Sequence, residues 1–298
     1  MTPATTGDPT RAGAPAAPPG LRPPAIGVGR RASLALALAS VAGAGMFLWP
    51  LLLTPAPGSD AHTTDAPFLF VLVLPVVVAV VLAELADGGL DTKALAMLGV
   101  LSAIGAALRP LGAGTGGVEL VFFTLVLAGR VLGPGFGFAL GATTLFASAL
   151  ITAGVGPWLP FQMMASAWVG MGAGLLPFRR LRGRGEVVLL AVYGALAAYA
   201  YGFLMNLWAW PFALGSGTEL SHVPGDAVLA NLHRFVLYTL STTSLGWDTG
   251  RAITNVLAIV LVGPAVLAAL RRASRRAAFG AAVTFTGPRT EPAGRARP

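Results

Sequence analysis

The feature that most constrains this chain is where polar residues are missing. Eight long apolar runs, at about 33–53, 67–86, 93–109, 118–131, 134–153, 160–178, 186–211 and 251–270, are almost free of charge inside. A helix needs ~20 apolar residues to cross a hydrocarbon core ~30 Å thick, and several runs reach that length. Only helices and closed barrels satisfy their backbone groups in lipid, and the alternation that a barrel strand requires is missing from these runs. The reading is an all-α polytopic membrane protein with about eight transmembrane helices.

Composition and charge placement fit this reading. Charged residues make up 11% of the chain, against ~25% in an ordinary soluble domain. The 39 glycines suit close helix packing, where small residues let backbones approach. The net charge of +8 would fit nucleic acid, but the arginines sit beside the apolar runs, which favours membrane topology and anionic lipid as their explanation. If every run crosses once, seventeen basic residues fall on one face, among them Arg30, Arg31, Lys93, Arg130, Arg179, Arg180, Arg182, Arg184, Arg271, Arg272, Arg275 and Arg276. Only Arg109, Arg234 and Arg251 remain on the other. The positive-inside rule then puts both termini in the cytoplasm of a multi-pass plasma-membrane protein.

The chain divides into four parts. Residues 1–32, with seven prolines, read as a disordered cytoplasmic tail; a cleaved signal peptide is the competing reading, disfavoured by an apolar run too long and too far from the start. Residues 33–86 hold two helices, and the linker 87–92 leads into a six-helix unit over 93–272. A basic disordered tail follows over 273–298. The long outer connection, about 212–250, contains Asn231 to Tyr238, which fits either a short helix against the membrane or an irregular loop.

Several chemistries are excluded by what is absent. The single lysine, Lys93, lies between Thr92 and Ala94, so no phosphate-binding GxxxxGK[ST] loop exists. The chain has no cysteine, and His62, His222 and His233 lack the spacing of a zinc site; no metal or cofactor is expected. Gly215-Ser216-Gly217 ahead of His222 lacks the strand–turn–helix setting of a hydrolase nucleophile. Carriers driven by proton or sodium gradients usually hold ionisable groups near the midplane, whereas Glu84, Glu119, Arg130, Glu186 and Arg251 fall at span ends. Any energy source would have to come from a partner.

Uncharged polar and aromatic residues gather at the outer half of the six-helix unit. Arg109, Glu119, Trp158, Gln162, Asn206, Trp210, Trp247, Arg251 and Asn255 are the candidate substrate-binding residues, with Ser148, Thr152, Trp208, Asp248 and Thr254 nearby. An outward pocket with aromatic walls and a few fixed polar contacts would look like this. The bland alternatives are interfacial tryptophans, helix-to-helix hydrogen bonds from Asn206 and Gln162, and an Arg109–Glu119 clamp. A second signal is the stripe Gly99, Ala103, Ala107, which flattens one helix face for close approach of another helix.

With these features the chain resembles the substrate-binding S components of energy-coupling factor (ECF) transporters over roughly residues 93–272. The resemblance rests on six short helices, the stripe Gly99-x-x-x-Ala103-x-x-x-Ala107, and the glycine-rich turns Gly129-Arg130-Val131-Leu132-Gly133-Pro134-Gly135-Phe136-Gly137, Gly141-Ala142-Thr143-Thr144 and Gly154-Val155-Gly156-Pro157-Trp158-Leu159-Pro160-Phe161-Gln162. The two helices over 33–86 depart from the six-helix plan. The resemblance implies a receptor for a vitamin-like small molecule, cobalamin being favoured, held by the outer loops and the last three helices. It implies docking of the small-residue stripe onto a transmembrane T component that carries two cytoplasmic ATPases. A structural subunit without a ligand is the alternative from another class, and an intramembrane enzyme is a third.

Overall fold

The computed structural model describes residues 25–52, 83, 92–112, 115–177, 180–214, 217–277 and 279. Among these the protein is all-helical. Helix α1 is Arg30–Leu52, α2 is Thr92–Leu108, continued by a 3-10 turn over Arg109–Gly112, and α3 is Val121–Leu132. Next come α4 (Pro134–Ile151), α5 (Leu159–Leu175) and α6 (Arg184–Ala213). One continuous helix, Val228–Leu261, then contains α7 (Val228–Thr239), a π-helical stretch (Leu240–Asp248) and α8 (Thr249–Leu261). It bends by 64° into α9, Gly263–Ala277.

Among the described residues four helices are long and apolar enough to cross a membrane, namely Arg30–Leu51, Thr92–Gly112, Pro134–Ile151 and Arg184–Ala213, and a fifth is counted if the bent pair is one span. The protein is an all-α membrane protein. Helix α3 has 12 residues and rises only ~18 Å, too little to cross alone. Every residue of it except Thr124 is buried, so it sits inside protein rather than in lipid. The span expected at 67–86 lies, apart from Ala83, outside the described residues, as does the linker before Thr92.

Three boundaries differ from the sequence expectation. The last span, expected at 251–270 after a long outer connection, ends at Leu261, and its helix already starts at Val228. Residues 25–32, expected in an unstructured tail, are packed in part: the Ala25 and Ile26 amides donate to the Val131 and Leu132 carbonyls at 3.4 and 3.0 Å, and Ile26 and Ala32 are buried. A helix leaves its last carbonyls without internal donors, and this segment supplies them to α3. The basic tail expected from 273 is helical to Ala277, whose carbonyl accepts a 2.9 Å hydrogen bond from Lys93 Nζ.

Helices α3, α4 and α5 form the centre through glycines. A Cβ added at Gly137 would stand 2.2 Å from the Gly170 carbonyl oxygen, and one at Gly170 would stand 2.1 Å from that of Gly137. Gly129 faces Gly170 in the same way and Gly141 faces Ser166. In lipid, helices associate through packing rather than water exclusion, so this backbone contact holds the bundle where larger side chains would separate it. Helix α1 packs on α5 and α6: Phe47 meets Phe161 edge-on and Trp168 at a tilt, while Trp168 Nε1 donates to Ser40 Oγ at 3.1 Å.

The basic end of the bundle is clamped by one carboxylate. Buried Glu186, at the start of α6, accepts from Arg130 Nε at 3.1 Å and from Arg271 Nη2 at 2.6 Å, with Arg182 at 3.5 Å. Arg130 also donates to the Leu176 and Pro177 carbonyls that end α5. One acid therefore ties the ends of α3, α5, α6 and α9 together.

Gly170→Ala is expected to destabilise the protein by about 1–3 kcal/mol, the usual cost of overpacking, and to shorten its lifetime in detergent. Gly99→Ala, where an added Cβ meets nothing within 4 Å, should be neutral or stabilising by up to about 1 kcal/mol through helix propensity. Parallel unfolding of the two variants checks the contrast.

Candidate functional site

The end opposite the Glu186 clamp is built from loops that only glycine allows to meet. Gly117 has φ +83°, a conformation other residues adopt at a cost, and a Cβ there would stand 2.0 Å from the Trp247 carbonyl oxygen. A Cβ on Gly250 would stand 1.9 Å from the Gly116 carbonyl oxygen. The loop before α3 is thus pressed directly on the turn where the π-helical stretch becomes α8.

Arg251 locks this contact. It is buried; its Nε donates to Glu119 Oε2 at 2.8 Å and its Nη1 to Asp248 Oδ1 at 2.7 Å and the Ala198 carbonyl at 3.3 Å. Its guanidinium carbon lies 5.0 Å from the Tyr201 ring centroid and 5.6 Å from that of Phe122. Ser244 donates to the other Asp248 oxygen at 3.0 Å. A buried charge is tolerable only when paired and hydrogen-bonded, and Arg251 has both conditions met across α3, α6 and α8. The Arg109–Glu119 clamp considered from sequence does not form; Glu119 pairs with Arg251 instead.

Beside this lock opens a cavity of about 310 Å³, lined by Arg109, Pro110, Gly112, Gly117, Val118, Glu119, Thr152, Gly154, Trp158 and Trp247. Arg109 leaves the end of α2 half-buried. Its Nη2 donates to Gln162 Oε1 at 3.0 Å and its Nη1 makes a long contact, 3.5 Å, with Ser148 Oγ. Trp158 Nε1 donates to the Gly154 carbonyl at 3.1 Å, fixing that ring at the rim. Among the described residues no cluster of side chains could hold a metal ion.

The nine residues expected at a site fall into three groups. Arg109, Glu119, Trp158 and Trp247 line the cavity. Gln162 and Arg251 stand directly behind it, each bonded to a lining residue. Asn206, Trp210 and Asn255 pack between helices: Asn206 donates to Thr243, Asn255 donates to the Gly194 carbonyl at 3.3 Å, and Trp210 donates to the Leu220 carbonyl at 2.7 Å. Trp210 belongs to a small cluster with Leu207, Phe235 and Tyr238 that caps this end. In the same cap, burial holds the His222 imidazole below its ordinary value, while its ring contacts the Pro50 carbonyl at 2.9 Å. Sequence reading had not singled out Gly117 and Gly250; their signal is adjacency to Glu119 and Arg251.

On α2 the stripe Gly99, Ala103 and Ala107 is exposed, whereas Ala94, Leu98, Ser102, Gly105 and Ala106 are buried. The residues beside the stripe, Leu95, Val100 and Ile104, are exposed as well. One whole face of α2 is therefore apolar, low in relief and uncovered among the described residues.

A family model described as ECF transporter, substrate-specific component, matches residues 93–245, just over half of the chain. The chain belongs to this family of transporter components, which is not a family of enzymes. Among curated proteins and among solved structures nothing matches it.

Arg251→Gln is expected to cost about 3–5 kcal/mol, because it leaves buried Asp248 and partly buried Glu119 without their cation. Thermal unfolding in detergent measures this. A cost below about 1 kcal/mol would mean that the loop before α3 is held by other contacts.

Proposed function

We propose that this protein is the receptor subunit of an importer, binding a small molecule from outside the cell in the cavity beside Arg109. The observation that carries the reading is that cavity, at the end of a substrate-specific ECF component that has few basic residues. The basic end, with Arg130, Arg182 and Arg271 gathered on Glu186, is then cytoplasmic under the positive-inside rule, and the cavity faces out. Both termini lie on the cytoplasmic side of the plasma membrane.

Aromatic walls with few polar groups suit a ligand site. Cobalamin, favoured by the resemblance, is far larger than this cavity and would only cover its mouth; a compact vitamin-like molecule suits it better. The face of α2 that the described residues leave uncovered is the docking surface for a transmembrane T component. With charges confined to the two ends and no phosphate loop, uptake draws its energy from two ATPases bound to that partner. Helix α1, seated on α5 and α6, leaves this face open.

The reading separates docking from binding. Ala103→Trp, placed on the exposed face, should abolish uptake in cells while the purified subunit keeps its small-molecule affinity within about threefold. Loss of both would assign the stripe a folding role, and loss of neither would remove the docking surface. Reporter fusions after Ser221 and Arg182 check the orientation, with outside and inside locations expected in that order; an inside location at Ser221 would reverse it.

A further inference from the structure

Resting on the receptor reading, we infer that the substrate is a small organic monoanion with a flat ring, its acid group held by Arg109 and its ring against Trp158 and Trp247. The first ground is a cation whose direct partners are neutral. Arg109 lines the cavity half-buried, and among the described residues its acceptors are the neutral Gln162 Oε1 and, at 3.5 Å, Ser148 Oγ. Among the described residues no carboxylate pairs with it. A guanidinium carries five N–H donors in a fixed fork, so at least three remain for a ligand. In a cleft walled by protein, that fork favours a planar acid that takes two parallel bonds. Gln162 holds the fork in place from behind.

The second ground is that the cavity's own carboxylate is already spoken for. Glu119 gives Oε2 to Arg251, which also carries Asp248. One cation therefore serves two acids, and the Glu119 side of the cavity keeps a negative bias. A ligand with two or more negative groups would be repelled there. A cationic ligand would have to lie beside Arg109, and a neutral one without an acid group would offer its free N–H donors a poorer acceptor.

Size and shape supply the third ground. The cavity is about 310 Å³, at the small end for ligand sites, which admits a ring system with a short acidic arm. Trp158 and Trp247, 41% and 44% exposed, offer apolar ring surface at its rim, where stacking with a flat ring is favourable.

The test uses matched acid and amide pairs: nicotinate and nicotinamide, biotin and biotinamide, and indole-3-acetate and indole-3-acetamide, with thiamine as a cation. Each is titrated by calorimetry into the purified full-length protein, Arg109→Gln, Arg109→Lys and Trp158→Ala, with size exclusion and melting confirming that each variant is folded. At least one acid should bind wild type, with its amide at least tenfold weaker. Arg109→Gln should erase that difference and Arg109→Lys should keep part of it. The inference is overturned if an amide or thiamine binds as tightly as any acid and depends on Trp158, or if Arg109→Gln retains the preference; in either case the receptor reading stands. If no compound of any charge binds, both the inference and the receptor reading fail.

Discussion

The cavity depends on a single buried cation. Arg251 joins Glu119 from the loop before α3, Asp248 from its own helix and the Ala198 carbonyl of α6, and it sits against the faces of Tyr201 and Phe122. Its charge is affordable in a low-dielectric setting only because so many partners converge on it. Those partners fix the relative position of three elements, and the cavity is the space they leave. Glycine makes the arrangement possible. A Cβ on Gly202 would stand 1.9 Å from Asp248 Oδ1, so α6 makes room for the carboxylate that Arg251 needs.

A second ionic centre, Glu186 with Arg130, Arg182 and Arg271, closes the other end. Between the two centres the bundle is held by glycine contacts and small hydroxyls such as Ser102, which meets Thr143 at 2.7 Å. Among the described residues the ion pairs thus gather at the two ends, and the exposed face of α2 runs between them.

Much of this was legible in the sequence because lipid imposes simple rules. Apolar runs marked α1 to α6, whereas Gly129, Gly137 and Gly141, expected in glycine-rich turns, lie inside α3 and α4, where they make the closest helix contacts. The last helix was harder to see. Ser241, Thr242, Thr243, Ser244 and Gly246 look like loop residues, yet the hydroxyls of Ser241, Thr242 and Thr243 turn back onto the Leu237, Tyr238 and Thr239 carbonyls and the helix continues through a π-helical stretch. The height of the site's side chains along the bundle was legible, but not the direction in which they point. Height along the bundle grouped Asn206, Trp210 and Asn255 with Arg109 and Trp158, whereas the face of the helix decides which side chains reach the cavity, and apolar runs with little amphipathic contrast do not reveal it. The Arg251–Glu119 pair, 132 residues apart in sequence, depends on loop packing that no local pattern announces.

The most direct measurement of the central claim is native mass spectrometry of the full-length protein, purified in mild detergent from cells grown in rich medium, beside a Trp158→Ala/Trp247→Ala variant. A cavity that receives substrate predicts a discrete small molecule retained by the first and missing from the second, with both proteins folded. A wild-type protein that carries no such molecule, or a variant that retains it equally, would contradict the account.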